Sequence, residues 1–81
     1  MCLKTYVNKL EEKYKVNIDI NIFIEYNKEE NNIEEFYVIT IYNKDKDLHE
    51  EILEEICNKL GLVENTKFEN KDYIDYYLEK E

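Results

Sequence analysis

The chain has 81 residues, of which 20 are acidic and 11 are lysine, and its formal net charge is −9. This charge disfavours direct binding to a nucleic-acid backbone or an anionic membrane, because both need clustered positive charge. A hydrophobic content of 43% is sufficient for a core, so we expect one folded domain over residues 1–81.

The first predicted element is an amphipathic helix over residues 3–14. Its apolar residues recur at spacings of three and four, the period that places side chains on one face of a helix. They are Leu3, Tyr6, Val7, Leu10 and Tyr14. This face is predicted to cover the apolar side of a β-hairpin that follows.

The hairpin is predicted over residues 16–43, where β-branched residues alternate with polar ones. A two-residue turn at Asn31 and Asn32 is predicted to join the strands. The expected cross-strand neighbours are Tyr26 with Tyr37, Ile24 with Ile39, and Ile22 with Ile41. This register places the isoleucines of both strands on one face.

The other hairpin face carries Phe23, Phe36 and Tyr42 near Asp19 and Glu25. Two interpretations remain open at this point. The aromatic residues could serve strand pairing alone, or they could form an exposed patch rimmed with acid that binds another protein.

A second helix is predicted to begin at an Asp47 N-cap and to end at Gly61, the single glycine of the chain. Residues 63–71 are predicted to be loop with a short strand near Lys67 and Phe68. The segment 72–79, DYIDYYLE, fits a strand or a helix, and its aromatic content favours the strand. We therefore expect an α+β fold of order α-β-β-α-β, in which two helices pack on one face of an antiparallel three-stranded sheet.

The sequence excludes several kinds of catalytic site. One glycine cannot build a phosphate-binding loop, and the absence of serine excludes a serine nucleophile. His49, the single histidine, is expected to be an exposed residue at the helix start without metal-binding neighbours. Cys57 lies on the apolar stripe of the second helix and is expected to be an unreactive thiol. We therefore expect no enzyme activity, no metal and no cofactor.

Acidic and tyrosine residues form the positive pattern in the sequence. On the second helix, Glu51, Glu54 and Glu55 are expected to face solvent, at spacings that resemble those of successive phosphates. Tyrosine provides contact area with a polar tip and is enriched at interaction surfaces. The expected partner-binding residues are Glu51, Glu54, Glu55, Glu29, Glu30, Glu34, Tyr73, Tyr76 and Tyr77. The sequence does not decide whether the acidic helix or the aromatic sheet face is the interface.

In size, charge, composition and predicted element order, the chain resembles the small acidic anti-CRISPR proteins of phages that infect low-GC bacteria. This resemblance implies a stoichiometric, non-enzymatic inhibitor that occupies the nucleic-acid channel of a CRISPR effector in the bacterial cytoplasm. Immunity proteins and antitoxins that neutralise a basic nuclease share the same character, as does a small structural or regulatory interaction subunit. The expected partner is a basic protein, and the expected state is a monomer or a weak homodimer.

An acidic protein that binds a basic partner should associate more slowly as salt screens its charge. The Debye length shrinks from about 10 Å at 0.1 M salt to about 3 Å at 1 M. We therefore expect the association rate, measured by stopped-flow fluorescence, to fall steeply over this range. A rate that does not change with salt would assign recognition to the aromatic residues instead.

Overall fold

The computed structural model describes residues 2–81, which form two helices and one antiparallel sheet. The elements are α1 (Leu3–Tyr14), β1 (Ile18–Asn27), β2 (Asn32–Ile41), α2 (Lys46–Leu60), β3 (Leu62–Glu69) and β4 (Ile74–Lys80). The strand order in the sheet is β1-β2-β4-β3. The predicted α+β class is confirmed. The predicted three-stranded sheet is wrong, because the sheet has four strands and the element order is α-β-β-α-β-β.

The additional strand is β3, in the segment predicted to be mostly loop. All of its side chains except Leu62 are exposed, including the apolar Val63 and Phe68, so hydrophobic burial gives little sign of a strand. Backbone pairing with β4 forms it instead, with a register shift between Glu64 and Thr66. The strand assignment of the C-terminal segment is confirmed, and β4 pairs with the hairpin strand β2 as expected.

The hairpin forms, but its predicted register is wrong. The connecting loop runs over residues 28–31, and Asn27 lies opposite Asn32. The Asn27 side chain causes this early closure, because its Oδ1 accepts hydrogen bonds from the backbone N–H groups of Glu29 and Glu30, at 3.0 and 3.2 Å. Asn31 then adopts a positive φ of 55°.

The observed partners are Ile22 with Tyr37, Ile20 with Ile39, and Ile18 with Ile41. Compared with the predicted register, each residue moves by an even number of positions along its partner strand. An even shift leaves every side chain on its original face. The prediction that the isoleucines share one face is therefore confirmed despite the wrong register.

The core lies between this isoleucine face and the two helices. Ile39 and Ile41 of β2 and Ile52 and Ile56 of α2 are all completely buried. Both predicted amphipathic helices are confirmed, and α1 has the predicted bounds. The flat dimensions of the molecule, 41 × 31 × 16 Å, agree with one layer of helices on one sheet.

The ends of α2 are only partly as predicted. The N-cap is Asp45 rather than Asp47, since the Asp45 carboxylate accepts a hydrogen bond from the Leu48 N–H at 3.2 Å. Gly61 is confirmed as the C-cap, with a φ of 68° that favours glycine.

The helices cover only part of the isoleucine face. Ile18 is buried, whereas Ile24 on the same strand and face is 67% exposed. Tyr26 and Ile33 are exposed beside it. Strand β4 pairs with β2 only from Phe36 onward, so the end of the hairpin also extends beyond its neighbour in the sheet. We call this segment, residues 24–35, the hairpin extension.

Two isoleucine-to-alanine substitutions would test this partial coverage. Ile39→Ala should lower the free energy of unfolding by about 2–5 kcal/mol, because it leaves a cavity in the core. Ile24→Ala removes the same atoms from a side chain that is mostly in water, so we expect a change of about 0.5 kcal/mol or less. Urea denaturation of both variants provides the measurement. Equal losses in the free energy of unfolding would contradict the conclusion that the helices leave the hairpin extension uncovered.

Candidate functional site: the open face of the sheet

The face of the sheet opposite the helices is the candidate functional site, and we call it the open face. The strand registers determine which side chains it presents. They are Asp19, Asn21, Phe23, Glu25, Glu34, Phe36, Val38, Thr40, Val63, Thr66, Phe68, Asp75, Tyr77 and Glu79, with Tyr42 and Tyr73 at one end. Within residues 2–81, no helix packs on this face.

Each of the four strands contributes an aromatic side chain to the open face, namely Phe23, Phe36, Tyr77 and Phe68. Phe23 lies directly opposite Phe36 across the first two strands. The rings of Phe68 and Tyr77 meet edge to face, with centroids 5.2 Å apart. Phe23 and Phe68 are more than half exposed, so these rings are available to another molecule.

The charged side chains at the strand positions of the open face are all carboxylates. Asp19 and Asp75 are held by hydroxyl groups, since Tyr42 donates to Asp19 at 2.7 Å and Thr40 donates to Asp75 at 2.6 Å. The hydrogen bond to Asp19 raises the pKa of Tyr42, so the phenol remains protonated at neutral pH. These contacts fix the two carboxylates in place.

Glu25 lies directly opposite Glu34 in the register of β1 and β2. Like charges at directly opposed strand positions destabilise a sheet. Glu34 accepts one hydrogen bond, from the Asn27 amide at 3.2 Å, which offsets part of that cost. A stable fold alone does not require this pair, so the pair favours a role for the surface.

The three helix glutamates predicted to bind a partner are not equivalent. Glu51 and Glu54 are exposed, as expected, and form no ion pair within residues 2–81. Glu55 is half-buried and forms an ion pair and hydrogen bond with Lys13 of α1. That hydrogen bond lowers the pKa of Glu55. Glu55 therefore joins the two helices, and its charge is already paired.

The remaining predicted glutamates lie around the hairpin loop. Glu29 and Glu30 are exposed in the loop itself. Glu34 is half-buried on the open face, near Phe36. The structure thus places Glu34 with the aromatic surface and away from Glu51 and Glu54, which belong to the helix layer.

The three tyrosines predicted to bind a partner lie in different environments. Tyr77 lies on the open face, and Tyr73 packs against Tyr42 at its end, with ring centroids 5.5 Å apart. Tyr76 points the other way and is only 4% exposed in the core. Because strand side chains alternate between faces, Tyr76 and Tyr77 cannot lie on one surface. Tyr76 is therefore not available to a partner.

Sequence reasoning missed Phe68 and Thr66 as members of this surface. Both belong to β3, for which the sequence predicts mostly loop with a short strand near Lys67 and Phe68, and that prediction assigns neither residue to a face of the sheet. The alternation of Val63, Thr66 and Phe68 about one bulge was the available sign.

Tyr76 forms a buried hydrogen bond with His49 of α2. The expectation of an exposed His49 is wrong, because this residue is 0% exposed. Its Nδ1 lies 2.8 Å from the Tyr76 hydroxyl, and the two rings meet edge to face. Burial lowers the pKa of His49, while burial and nearby glutamates raise the pKa of Tyr76 to about 12. Both groups are therefore neutral at pH 7, and the pair joins α2 to β4.

Other chemistry is sparse in the described part of the chain. Residues 2–81 contain no group of three or more metal-ligating side chains. Cys57 is half-buried and burial raises the pKa of its thiol, while Cys2 is exposed and its hydrogen bond with Thr5 lowers the pKa of that thiol. None of the helices described for residues 2–81 has both the length and the hydropathy to cross a membrane.

Comparison of the chain with protein-family models, with curated proteins and with solved structures gives no significant match.

The buried His49 predicts how stability depends on pH. Its folded-state pKa lies below the ordinary value of 6.5, so below that pH the unfolded chain takes up a proton that the folded chain resists. The free energy of unfolding should therefore fall as the pH drops below 6.5. His49→Asn keeps a polar group near the Tyr76 hydroxyl but does not titrate. It should therefore remove the part of this pH dependence that comes from His49. Urea titrations between pH 7 and pH 5 compare the two proteins, and parallel curves would show that His49 does not contribute.

Proposed function

We propose that the protein is a non-enzymatic inhibitor that binds a basic, nucleic-acid-handling protein through its open face. The observation that carries this proposal is the composition of that face, in which exposed aromatic rings are rimmed by carboxylates and no strand position holds a lysine. Protein interfaces combine aromatic centres with polar rims, and the charge of the rim selects a partner of opposite charge.

The lysine distribution supports this reading. The chain has 11 lysines, yet those in strands β3 and β4, Lys67 and Lys80, lie on the helix side of the sheet. The Lys80 ammonium lies over the ring of Tyr37 there, 5.7 Å from its centroid. The negative potential of the open face is thus not neutralised from within the face.

The open face also fits better than the outer face of α2. Of the three helix glutamates, Glu55 is already paired with Lys13. Helix α2 presents exposed carboxylates but no exposed aromatic rings. The open face presents both, because the exposed rings of Phe23 and Phe68 lie among its carboxylates. Aromatic side chains contribute most of the affinity at typical interfaces, and charge contributes mainly to association rate and selectivity.

A basic nucleic-acid channel is the partner surface that best complements such a face. Its lysines and arginines attract carboxylates in place of phosphates, and its base-stacking groups accept aromatic rings. An anti-CRISPR inhibitor, which the size and composition of the chain resemble, is the biological class that we propose. An immunity protein directed at a basic nuclease would use the same surface chemistry, and the identity of the captured partner distinguishes the two.

Matched charge reversals would test which surface binds. We expect Glu34→Lys with Glu79→Lys, on the open face, to weaken partner binding by about a hundredfold, since each reversal replaces attraction with repulsion. Glu51→Lys with Glu54→Lys changes the net charge equally on α2 and should reduce affinity far less.

The experiment begins with tagged wild-type protein as bait in a bacterial lysate at low salt, followed by mass spectrometry. The purified partner is then tested against wild type and both double variants, and its binding to labelled DNA or RNA is measured by fluorescence anisotropy. The proposal is supported if the wild-type protein and the α2 variant both displace nucleic acid from the partner and the open-face variant does not. Equal inhibition by both variants would contradict it.

A further inference from the structure

The two edges of the sheet differ in how they are protected. Edge strand β3 has a bulge between Glu64 and Thr66 and carries the charged residues Lys67 and Glu69. Bulges and charged side chains are the usual means by which proteins prevent pairing at a sheet edge. Edge strand β1, Ile18–Asn27, carries Asp19 and Glu25 but has neither lysine nor proline, and its pairing with β2 runs without a bulge. The β1 edge is therefore open to another strand.

Hydrogen bonds show which backbone groups of β1 point outward. The Tyr42 N–H donates to the Asn17 carbonyl at 3.0 Å, so Asn17 faces β2. Groups facing the neighbouring strand alternate along an antiparallel pair, so the even-numbered residues of β1 present their N–H and C=O groups to the outer edge. The Ile18 N–H confirms this alternation, because it donates to the Glu11 carboxylate of α1 at 3.0 Å.

That contact with Glu11 also sets the length of the open edge. Glu11 closes the edge at Ile18, and the loop begins after Asn27. The outward-pointing residues that remain run from Ile20 to Tyr26. The centre of this open stretch is Phe23.

We propose that β1 pairs with β1 of a second copy of this chain, antiparallel and about a two-fold axis at Phe23. In this register Ile22 lies opposite Ile24 of the other copy, and Ile20 lies opposite Tyr26. On the open face, Phe23 meets Phe23, Asn21 meets Glu25 and Asp19 meets Asn27. Each carboxylate thus faces an amide that can donate a hydrogen bond to it, and no like charges are directly opposed.

The neighbouring even register is less favourable. A two-fold axis at Ile22 would place Asp19 directly opposite Glu25, which repel each other. It would also place Ile18, whose N–H is already bound to Glu11, in the pairing stretch. Both the charges and the available backbone groups therefore favour the axis at Phe23 over the axis at Ile22.

The hairpin extension gives this pairing an apolar contribution. A surface depression lies where α1 meets the outer edge of β1, lined among others by Leu3, Val7 and Ile20. Because Tyr26 of the second copy lies opposite Ile20, its ring reaches this depression. By symmetry, each copy covers the bare end of the other with its own α1. The exposed side chains of Ile24, 67%, and Tyr26, 59%, are then removed from water.

The association closes at two copies because each chain has one open edge and one protected edge. Its dependence on salt has a characteristic sign. Each chain carries a net charge of −9, so the copies repel and added salt should strengthen the dimer. Binding to a basic partner has the opposite dependence, so this inference and the proposed function can fail separately.

Disulfide trapping tests the register in the full chain. In a background with Cys2→Ala and Cys57→Ala, Phe23→Cys places two thiols at the two-fold axis in a non-hydrogen-bonded pair. The Cα separation there is about 4.5 Å, within the range of disulfides. Oxidised glutathione, which accepts the two electrons, should give a covalent dimer of Phe23→Cys on non-reducing gels. The matched variant Asn21→Cys faces Glu25 and should not crosslink. Equal crosslinking of the two variants, or none in Phe23→Cys, overturns the register.

Sedimentation equilibrium tests the dimer without substitution at the axis. Wild type should associate at micromolar to millimolar concentrations, more tightly at high salt. Ile24→Lys should raise the dissociation constant by about tenfold or more, because it puts an ammonium in the pairing strand. Val63→Lys makes the same kind of change on the β3 edge and should leave the dissociation constant of the dimer unchanged. A wild-type protein that stays monomeric at millimolar concentration and high salt overturns the proposal, and so does equal weakening by both variants.

Discussion

The packing of two short helices on a longer sheet is the constraint from which the other features follow. Helix α1 has 12 residues and α2 has 15, which correspond to lengths of about 18 and 22 Å. Strands β1 and β2 have 10 residues each, or about 34 Å. The helices therefore bury Ile18, Ile39 and Ile41 but end before the hairpin does. One sheet face is covered in part, and no helix within residues 2–81 covers the other.

These two uncovered regions have different chemistry. The open face combines aromatic rings with carboxylates, which suits a basic protein surface. The hairpin extension is apolar on its helix side and has a free backbone edge, which suits another β-strand. The first surface would act through charge and aromatic contact and the second through backbone pairing. A dimer at β1 would join two open faces into one larger acidic and aromatic surface.

The His49–Tyr76 pair shows how the molecule separates structural from surface groups. Two adjacent tyrosines of β4 have opposite environments, because Tyr76 is buried against α2 while Tyr77 lies on the open face. Burial holds the pKa of Tyr76 high and that of His49 low, so neither group carries charge within the core. The charge of the chain is therefore a property of its surfaces.

The sequence by itself determined the two helices, the hairpin and the composition of each face of the hairpin strands β1 and β2. Apolar periodicity fixes which side of a helix or strand is buried, and an even shift of register leaves that assignment unchanged. For this reason Ile22 and Ile24 were placed on the correct face although their cross-strand partners were wrong. The acidic and aromatic character of the surface could also be predicted, because it depends on residue types alone.

Only the tertiary structure decided the hairpin register, the fourth strand and the environments of individual polar residues. The Asn27 side chain closes the loop through local hydrogen bonds that periodicity does not encode. Strand β3 forms through backbone pairing with β4, and its mostly exposed side chains gave little sign of it. His49 looked exposed among glutamates, yet it is buried in the core with its Nδ1 2.8 Å from the Tyr76 hydroxyl. The last two outcomes depend on contacts between segments distant in sequence, and a pattern read along one segment cannot contain them.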